Sequence, residues 1–266
     1  MSTYLRDRAI VLTVRPYREA DAWVSLWTEH HGKHDVFAAG LKRTNARQQG
    51  HLQPFSVVEV MIAHGKAFDR VAVARMTERH GASIRLTEHW QAIIGSLFAV
   101  CERMTAPSQH EPKIFAFLLE CLDVSAHPTE SFSPERTRLV WAFALHLLGR
   151  HLGYGVSFSR CIRCGKGPIL PGAFLVKEGG FLCATCDRSS EMLHSSALST
   201  EQALLSKGLA FFERATLEQV IHLTAPRQAL VDLATILEAT LTTFPVDIWQ
   251  KQKAYLQSLS EHLSKR

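Results

Sequence analysis

Four of the six cysteines in this 266-residue chain stand in two pairs, Cys161-Ile-Arg-Cys164 and Cys183-Ala-Thr-Cys186, with eighteen residues between the pairs. Thiolates in two Cys-x-x-Cys knuckles at that separation can close tetrahedrally on one zinc ion. Gly165 follows the first knuckle, where the chain must turn. Gly179-Gly180 lead through Phe181-Leu182 into the second, as a turn feeding a short strand does. Arg160, Arg163 and Lys166 place positive charge beside the sulfurs. The competing chemistries are two structural disulfides, which suit a secreted chain, and a redox-active Cys-x-x-Cys, which normally comes once near a βαβ pattern. Four sulfur ligands leave no open position for water, so the expected Zn2+ is single and structural and is no sign of an enzyme. Cys101 and Cys121 stand alone in apolar, helix-like segments and are expected to be buried, inert thiols.

A second group of residues could do electrostatic rather than covalent work. Gly40-Leu-Lys-Arg-Thr-Asn-Ala-Arg-Gln-Gln-Gly50 carries Lys42, Arg43 and Arg47, several amides and no acid. That composition suits a loop gripping phosphates; a solvated surface loop is the plainer alternative. Arg15, Arg18, Lys33 and Arg70 fall at strand ends or turns of the same region and join it as candidate DNA contacts. Tyr17, Trp23, Trp27 and Phe37 could offer stacking faces to bases, although strand aromatics more often fill a core. The net charge of +5 and pI of about 9.0 add a mild bias toward anionic partners, chiefly nucleic acid.

No catalytic constellation emerges. There is no Walker-type loop, no G-x-G-x-x-G after a strand, no G-x-S-x-G and no H-E-x-x-H. His30-His31-x-x-His34 reads as turn histidines beside Gly32, and Glu19 with Asp21 as polar residues ahead of a strand, though the latter pair could be carboxylates of a metal-dependent nuclease.

The elements that must position these groups follow from patterning. Within residues 1–82, five β-branched or aromatic runs (9–15, 22–28, 35–39, 55–62 and 68–74) are separated by turn residues, which predicts a small antiparallel barrel. Five strands suit an oligonucleotide-binding (OB) barrel, and an SH3-like barrel gives nearly the same pattern. Residues 83–155 read as the first part of a helical domain, with Thr87 and Ser133-Pro134 as start signals. Residues 156–190 form the four-cysteine module. Residues 191–266 complete the helical domain, with helices from Ser199, over 226–243 and over 247–263. The class is therefore α+β: a barrel, then an all-helical domain carrying an inserted zinc module. No apolar run approaches a membrane span, no targeting segment is evident, and free thiols beside a zinc site suit the cytosol.

The run Ala9-Ile-Val-Leu12 through Arg15-Pro-Tyr-Arg-Glu-Ala-Asp21, then Leu26-Trp-Thr-Glu-His-His-Gly-Lys33 and Ala39-Gly-Leu-Lys-Arg43, resembles the bacterial DNA repair and recombination mediator family RecO, as does the cysteine quartet after a helical stretch. The resemblance covers the chain in order, although the last third matches only in its helical layout. It implies binding of single- and double-stranded DNA, annealing without ATP, contact with RecR and with the acidic C-terminal tail of the single-stranded DNA-binding protein SSB, and help in loading RecA in the cytoplasm, at the nucleoid. It implies zinc at Cys161, Cys164, Cys183 and Cys186 and, less firmly, phosphate binding at Lys42, Arg43 and Arg47. Some members of the family lack part of the quartet, so the metal is expected to fold the insert. Arg227, Lys251 and Lys253 form a candidate receptor for the SSB tail. Against this non-catalytic mediator stand an interaction adaptor whose barrel touches no DNA, and the nuclease.

Overall fold

The computed structural model describes residues 4–43, 46, 48–77, 87–126, 133–167, 172–175, 178–186, 193–194, 202–245, 247–248, 250–251 and 254. The chain divides into two compact units, Met1–Pro128 and Thr129–Arg266.

The first unit is built on a closed barrel of β1 (Tyr4–Tyr17), β2 (Asp21–Thr28), β3 (Gly32–Ala38), β4 (Val57–Ala63) and β5 (Arg70–Met76) in the order β1-β2-β3-β5-β4. Every pairing is antiparallel except β3 with β5, joined through Phe37 and Arg70. This closure, with one parallel joint, is that of an OB barrel and resolves the choice left open by strand count. β1 is longer than the apolar run predicts because it serves two neighbours. Its first half pairs with β4 (Tyr4 with Ala63 through Ile10 with Val57) and its second with β2, across a bulge between Val11 and Thr13. Ala9, Val11, Ala22, Val24, Leu26, Val36, Val58, Val60, Ile62 and Ala74 point inward and fill the barrel, so the alternate residues face outward.

Two helices, α1 (Glu88–Met104) and α2 (Pro112–Ala126), belong to the same unit, whereas the sequence pattern grouped them with the later helices. Thr87 caps α1 by accepting the Trp90 N–H at 3.4 Å. Phe98 of α1 meets Phe55 (ring centroids 5.3 Å apart), and Arg8 lies over the Phe115 ring of α2. Gly32 is needed at the start of β3: its φ is +72°, and a Cβ there would lie 1.9 Å from the Gln109 carbonyl oxygen.

In the second unit α3 (Pro134–His151) packs on α6 (Arg227–Thr240), with α4 (Gln202–Phe212) and the short α5 (Leu217–Ile221) beside them. Ser133 caps α3 as expected, accepting from Arg136 N. A two-pronged Arg138–Glu238 pair (2.5 and 2.7 Å) ties α3 to α6. The five-residue α5, with its Thr216/Gln219 capping box, was not foreseen. Between α3 and α4 the cysteine module forms a sheet ordered β7 (Gly180–Cys183), β6 (Gly172–Leu175), β8 (Leu193–His194). Most of the helix expected over 247–263 lies outside the described residues. Among the described residues no helix is long and apolar enough to cross a membrane.

Candidate nucleic-acid interface and metal centre

The outer wall of β2 and β3 divides into a covered and an open half. On the covered half, Ser25, Trp27 and Lys33 face outward yet are buried. Trp27 is fully buried, so this tryptophan is a packing residue and not a stacking face. Lys33 is 5% exposed, and its Nζ donates to the carbonyls of Glu102 (2.5 Å) and Thr105 (3.0 Å) at the C-terminal end of α1. An ammonium there satisfies carbonyls that the helix leaves unpaired and sits at the negative end of its dipole. Lys33 was expected among the phosphate contacts; burial in this bond pair removes it from them.

The open half carries an aromatic quartet. Trp23 on β2 sits opposite Phe37 on β3, ring centroids 5.5 Å apart. Phe68, in the β4–β5 loop, contacts both at 5.4 and 5.3 Å. Tyr17, at the end of β1, meets Phe37 edge-on at 6.0 Å. All four keep exposed surface, and Tyr17 is 41% exposed. The arginines border this platform. Arg18 lies over the Tyr17 ring at 5.2 Å and Arg70 over the Phe68 ring at 5.0 Å. Arg15 is half-exposed and 3.1 Å from Glu102, so part of its charge is already compensated. Rings edged by guanidinium groups offer planar partners a stacking surface and anions a set of donors. Phe68 was missed at the sequence stage of reasoning because it follows the turn Gly65-Lys66-Ala67 and reads as the start of a strand.

The basic loop joins the platform at one end of the barrel. Lys42 N donates to Ala20 O (2.8 Å) and Gly40 N to the Asp21 carboxylate (2.7 Å), which ties the loop to the β1–β2 turn bearing Arg18. Lys42 and Arg43 are exposed; Arg47 lies outside the described residues. Asp21 is thereby engaged in holding backbone. Among the described residues the cysteine quartet is the single group of three or more His, Cys, Asp or Glu gathered tightly enough to hold a metal, so Glu19 and Asp21 do not assemble a nuclease centre. His30 and His31 are exposed, and both ring Nδ1 atoms meet the buried Asp7 carboxylate at 2.9 and 2.8 Å. Burial works to raise the pKa of Asp7, but hydrogen bonds from His30, His31 and the backbone of His30 and Arg8 together hold it below the usual value.

In the cysteine module all four sulfurs lie within 4.8 Å of one another, and Cys164 Sγ is 3.7 Å from Cys183 Sγ. Tetrahedral Zn–S bonds of about 2.3 Å place sulfurs ~3.8 Å apart, so the quartet fits such an ion. All six cysteines are free thiols, which sets aside two disulfides. Each knuckle is built by backbone: Cys161 N donates to Lys166 O, Gly165 N (φ +70°) to Cys161 O, and Cys186 N to Cys183 O. Arg163 Nη1 reaches Cys186 O at 2.8 Å. Hydrogen bonding to the neighbouring sulfurs, Cys164 first, pushes the Cys186 thiol up to about 12: four crowded thiols share protons that a bound cation would displace. Cys101, by contrast, is pushed to about 12 by burial, as an inert core thiol should be. At the other end of the second unit, Arg227 is ion-paired with Glu135 at 2.5 Å, Lys251 is exposed and Lys253 lies outside the described residues.

Comparison with known proteins gives two adjoining matches. Residues 1–80 match the family model for the recombination protein O N terminal domain, and residues 91–243 match that for its C terminal domain. A DNA repair protein RecO of Syntrophomonas wolfei is 28% identical over 219 residues, covering 82% of this chain and 83% of its own. Proteins of the same name from Desulforudis audaxviator (31% over 186 residues; 68% and 70% of the two chains) and Frankia casuarinae (29% over 181; 68% and 72%) are similar.

Proposed function

This chain belongs to the recombination protein O family of DNA repair proteins, and from that premise we propose that it is a non-catalytic, DNA-binding recombination mediator that pairs complementary strands without nucleotide hydrolysis. The observation that carries the reading is the aromatic quartet Tyr17, Trp23, Phe37 and Phe68 with Arg18 and Arg70 at its border. OB barrels take oligonucleotides on the β2–β3 face, between the loops that follow strands 1 and 4, and the quartet occupies that place. Bases stack on the rings at about 1–3 kcal/mol each with little sequence preference, while Arg15, Arg18, Arg70, Lys42 and Arg43 meet phosphates. Arg47 joins them by its place in the sequence. Neutralising phosphates lowers the repulsion between two strands and raises their local concentration.

The quartet Cys161, Cys164, Cys183 and Cys186 would hold one structural zinc ion, which supplies cross-linking of the insert and no reaction chemistry. The partners that fit the reading are single- and double-stranded DNA, RecR, and the acidic tail of SSB, with RecA loaded indirectly, in the cytoplasm at the nucleoid. The division of labour follows residues 1–82 for DNA, 156–190 for the metal and the helices of 83–155 and 191–266 for partner contacts. The test is fluorescence annealing of complementary oligonucleotides, bare and coated with SSB that has or lacks its tail, with ATP omitted. The expected result is accelerated annealing of bare strands at low salt and tail-dependent annealing of coated ones. No acceleration at low salt, with partner binding retained, would make the chain an adaptor.

A further inference from the structure

β4 closes the barrel on the side away from β2 and β3, and its outer face is not the one assigned above. The inward set Val58, Val60, Ile62 and Ala74 leaves Glu59, Met61, Val73 and Arg75 facing out, level with Arg6 and Arg8 of β1. Arg6 pairs with Met61, which pairs with Val73. Arg8 pairs with Glu59, which pairs with Arg75. Together with His30 these side chains line a cleft of about 590 Å³.

The charge of this cleft is one-sided. Glu59 stands between Arg8 and Arg75 and can offset one of them. Arg8 also lies 3.9 Å from Glu29 at the edge. The Asp7 carboxylate is 2% exposed and is occupied by His30 and His31. Arg6 and one further guanidinium remain uncompensated, and His30 adds a proton as pH falls, since its hydrogen bond to Asp7 raises its pKa. The floor between the cations is apolar. Val73 is 49% exposed in mid-strand, and Arg6 Nε lies against the Met61 sulfur at 3.4 Å. An exposed aliphatic strip flanked by arginines has no role in the barrel core.

We propose that this cleft is a second phosphodiester-binding face, which holds the second single strand during annealing. The proposal rests on the reading of the β2–β3 face as a single-strand site: a protein that pairs strands without nucleotide hydrolysis must hold two at once. Arg6 and Arg8 are two residues apart on one strand, hence ~6.6 Å, a repeat that an extended phosphodiester chain can follow. Met61 and Val73 give the sugar and base edges an apolar bed. A peptide is the poorer occupant: the barrel is closed and offers no free strand edge for main-chain pairing, and a flat strip has no pocket for an apolar anchor.

The test uses the full chain and the variants R6Q/R75Q and R18Q/R70Q, all surface changes, with folding checked by unchanged thermal unfolding. Single-strand affinity is read by anisotropy. Simultaneous occupancy is read by energy transfer between two non-complementary labelled oligonucleotides, and annealing by its rate. R6Q/R75Q should keep the first-strand affinity within about twofold while co-occupancy disappears and annealing slows about tenfold or more. R18Q/R70Q should lose all three. Parent-like co-occupancy and annealing in R6Q/R75Q would overturn the second face and leave the first standing. A parent chain that neither binds nor anneals single strands would remove the underlying reading itself. Unchanged annealing with weakened binding of an acidic, apolar peptide in R6Q/R75Q would make the cleft a peptide site and overturn the proposal.

Discussion

Lys33 carries the same charge as Lys42 and stands nine residues before it, yet the two have opposite fates. Lys42 is exposed on a loop, while Lys33 ends between two helix carbonyls. Lys33→Met keeps the buried stem and removes the ammonium, leaving the Glu102 and Thr105 carbonyls unpaired. It should cost about 2–4 kcal/mol in urea unfolding and leave the DNA affinity of the folded protein unchanged. Composition cannot separate these lysines, because what buries Lys33 is a helix some seventy residues downstream. His146 is a second case. It lies 3% exposed among Phe143 and Phe158, and burial first, then Arg150, lowers its pKa to about 3. Its folded pKa is below the unfolded value of 6.5, so the unfolded chain binds the extra proton and acid favours unfolding. Stability should fall by up to about 1.4 kcal/mol per pH unit from about pH 6.5 downward. His146→Gln should flatten that slope in unfolding measured between pH 7 and 4; an unchanged slope would mean that His146 protonates freely in the fold.

Elements show why some features were legible and others not. The caps Thr87 and Ser133 act through their own neighbours, so α1 and α3 begin where the sequence places them. The first half of β1 hides behind Arg6, Asp7 and Arg8, because an outer barrel wall tolerates charge at alternate positions. The knuckles were legible because their ligands are local pairs, whereas the aromatic quartet, drawn from three strands and a loop, was only half visible. The cysteine module is anchored by a chain of rings: Phe174 on Phe181 at 5.0 Å, Phe181 on Phe158 at 5.8 Å, and Phe158 on His146 of α3 at 4.7 Å. Glu213 adds hydrogen bonds to Ser157 Oγ and Phe158 N. Loss of the metal should therefore loosen α3 as well as the module. With a chelator, or in Cys161→Ser, hydrogen exchange should rise in 156–186 and along α3 while barrel amides stay protected. Binding of a single strand by the barrel should persist, and its loss with the helices still protected would place the metal in the DNA site.

At the scale of the whole molecule, each compact unit has a distinct task in this account: the first grips nucleic acid on the outer walls of a closed barrel, and the second is a helical body stapled by a metal. Net charge is a poor guide to such a division. The +5 of the chain includes Lys33, which is buried, and Arg138 and Arg227, which are spent in ion pairs. The cations that matter are the few bordering aromatic surface, and their contribution to binding is countable. Each phosphate neutralised on a single strand adds about 0.7 to the slope of log affinity against log salt. The most direct measurement is that slope for a labelled oligothymidine, compared between the parent chain and R18Q/R70Q. The account predicts weaker binding and a slope shallower by about 1.4. An R18Q/R70Q slope and affinity equal to those of the parent would contradict it.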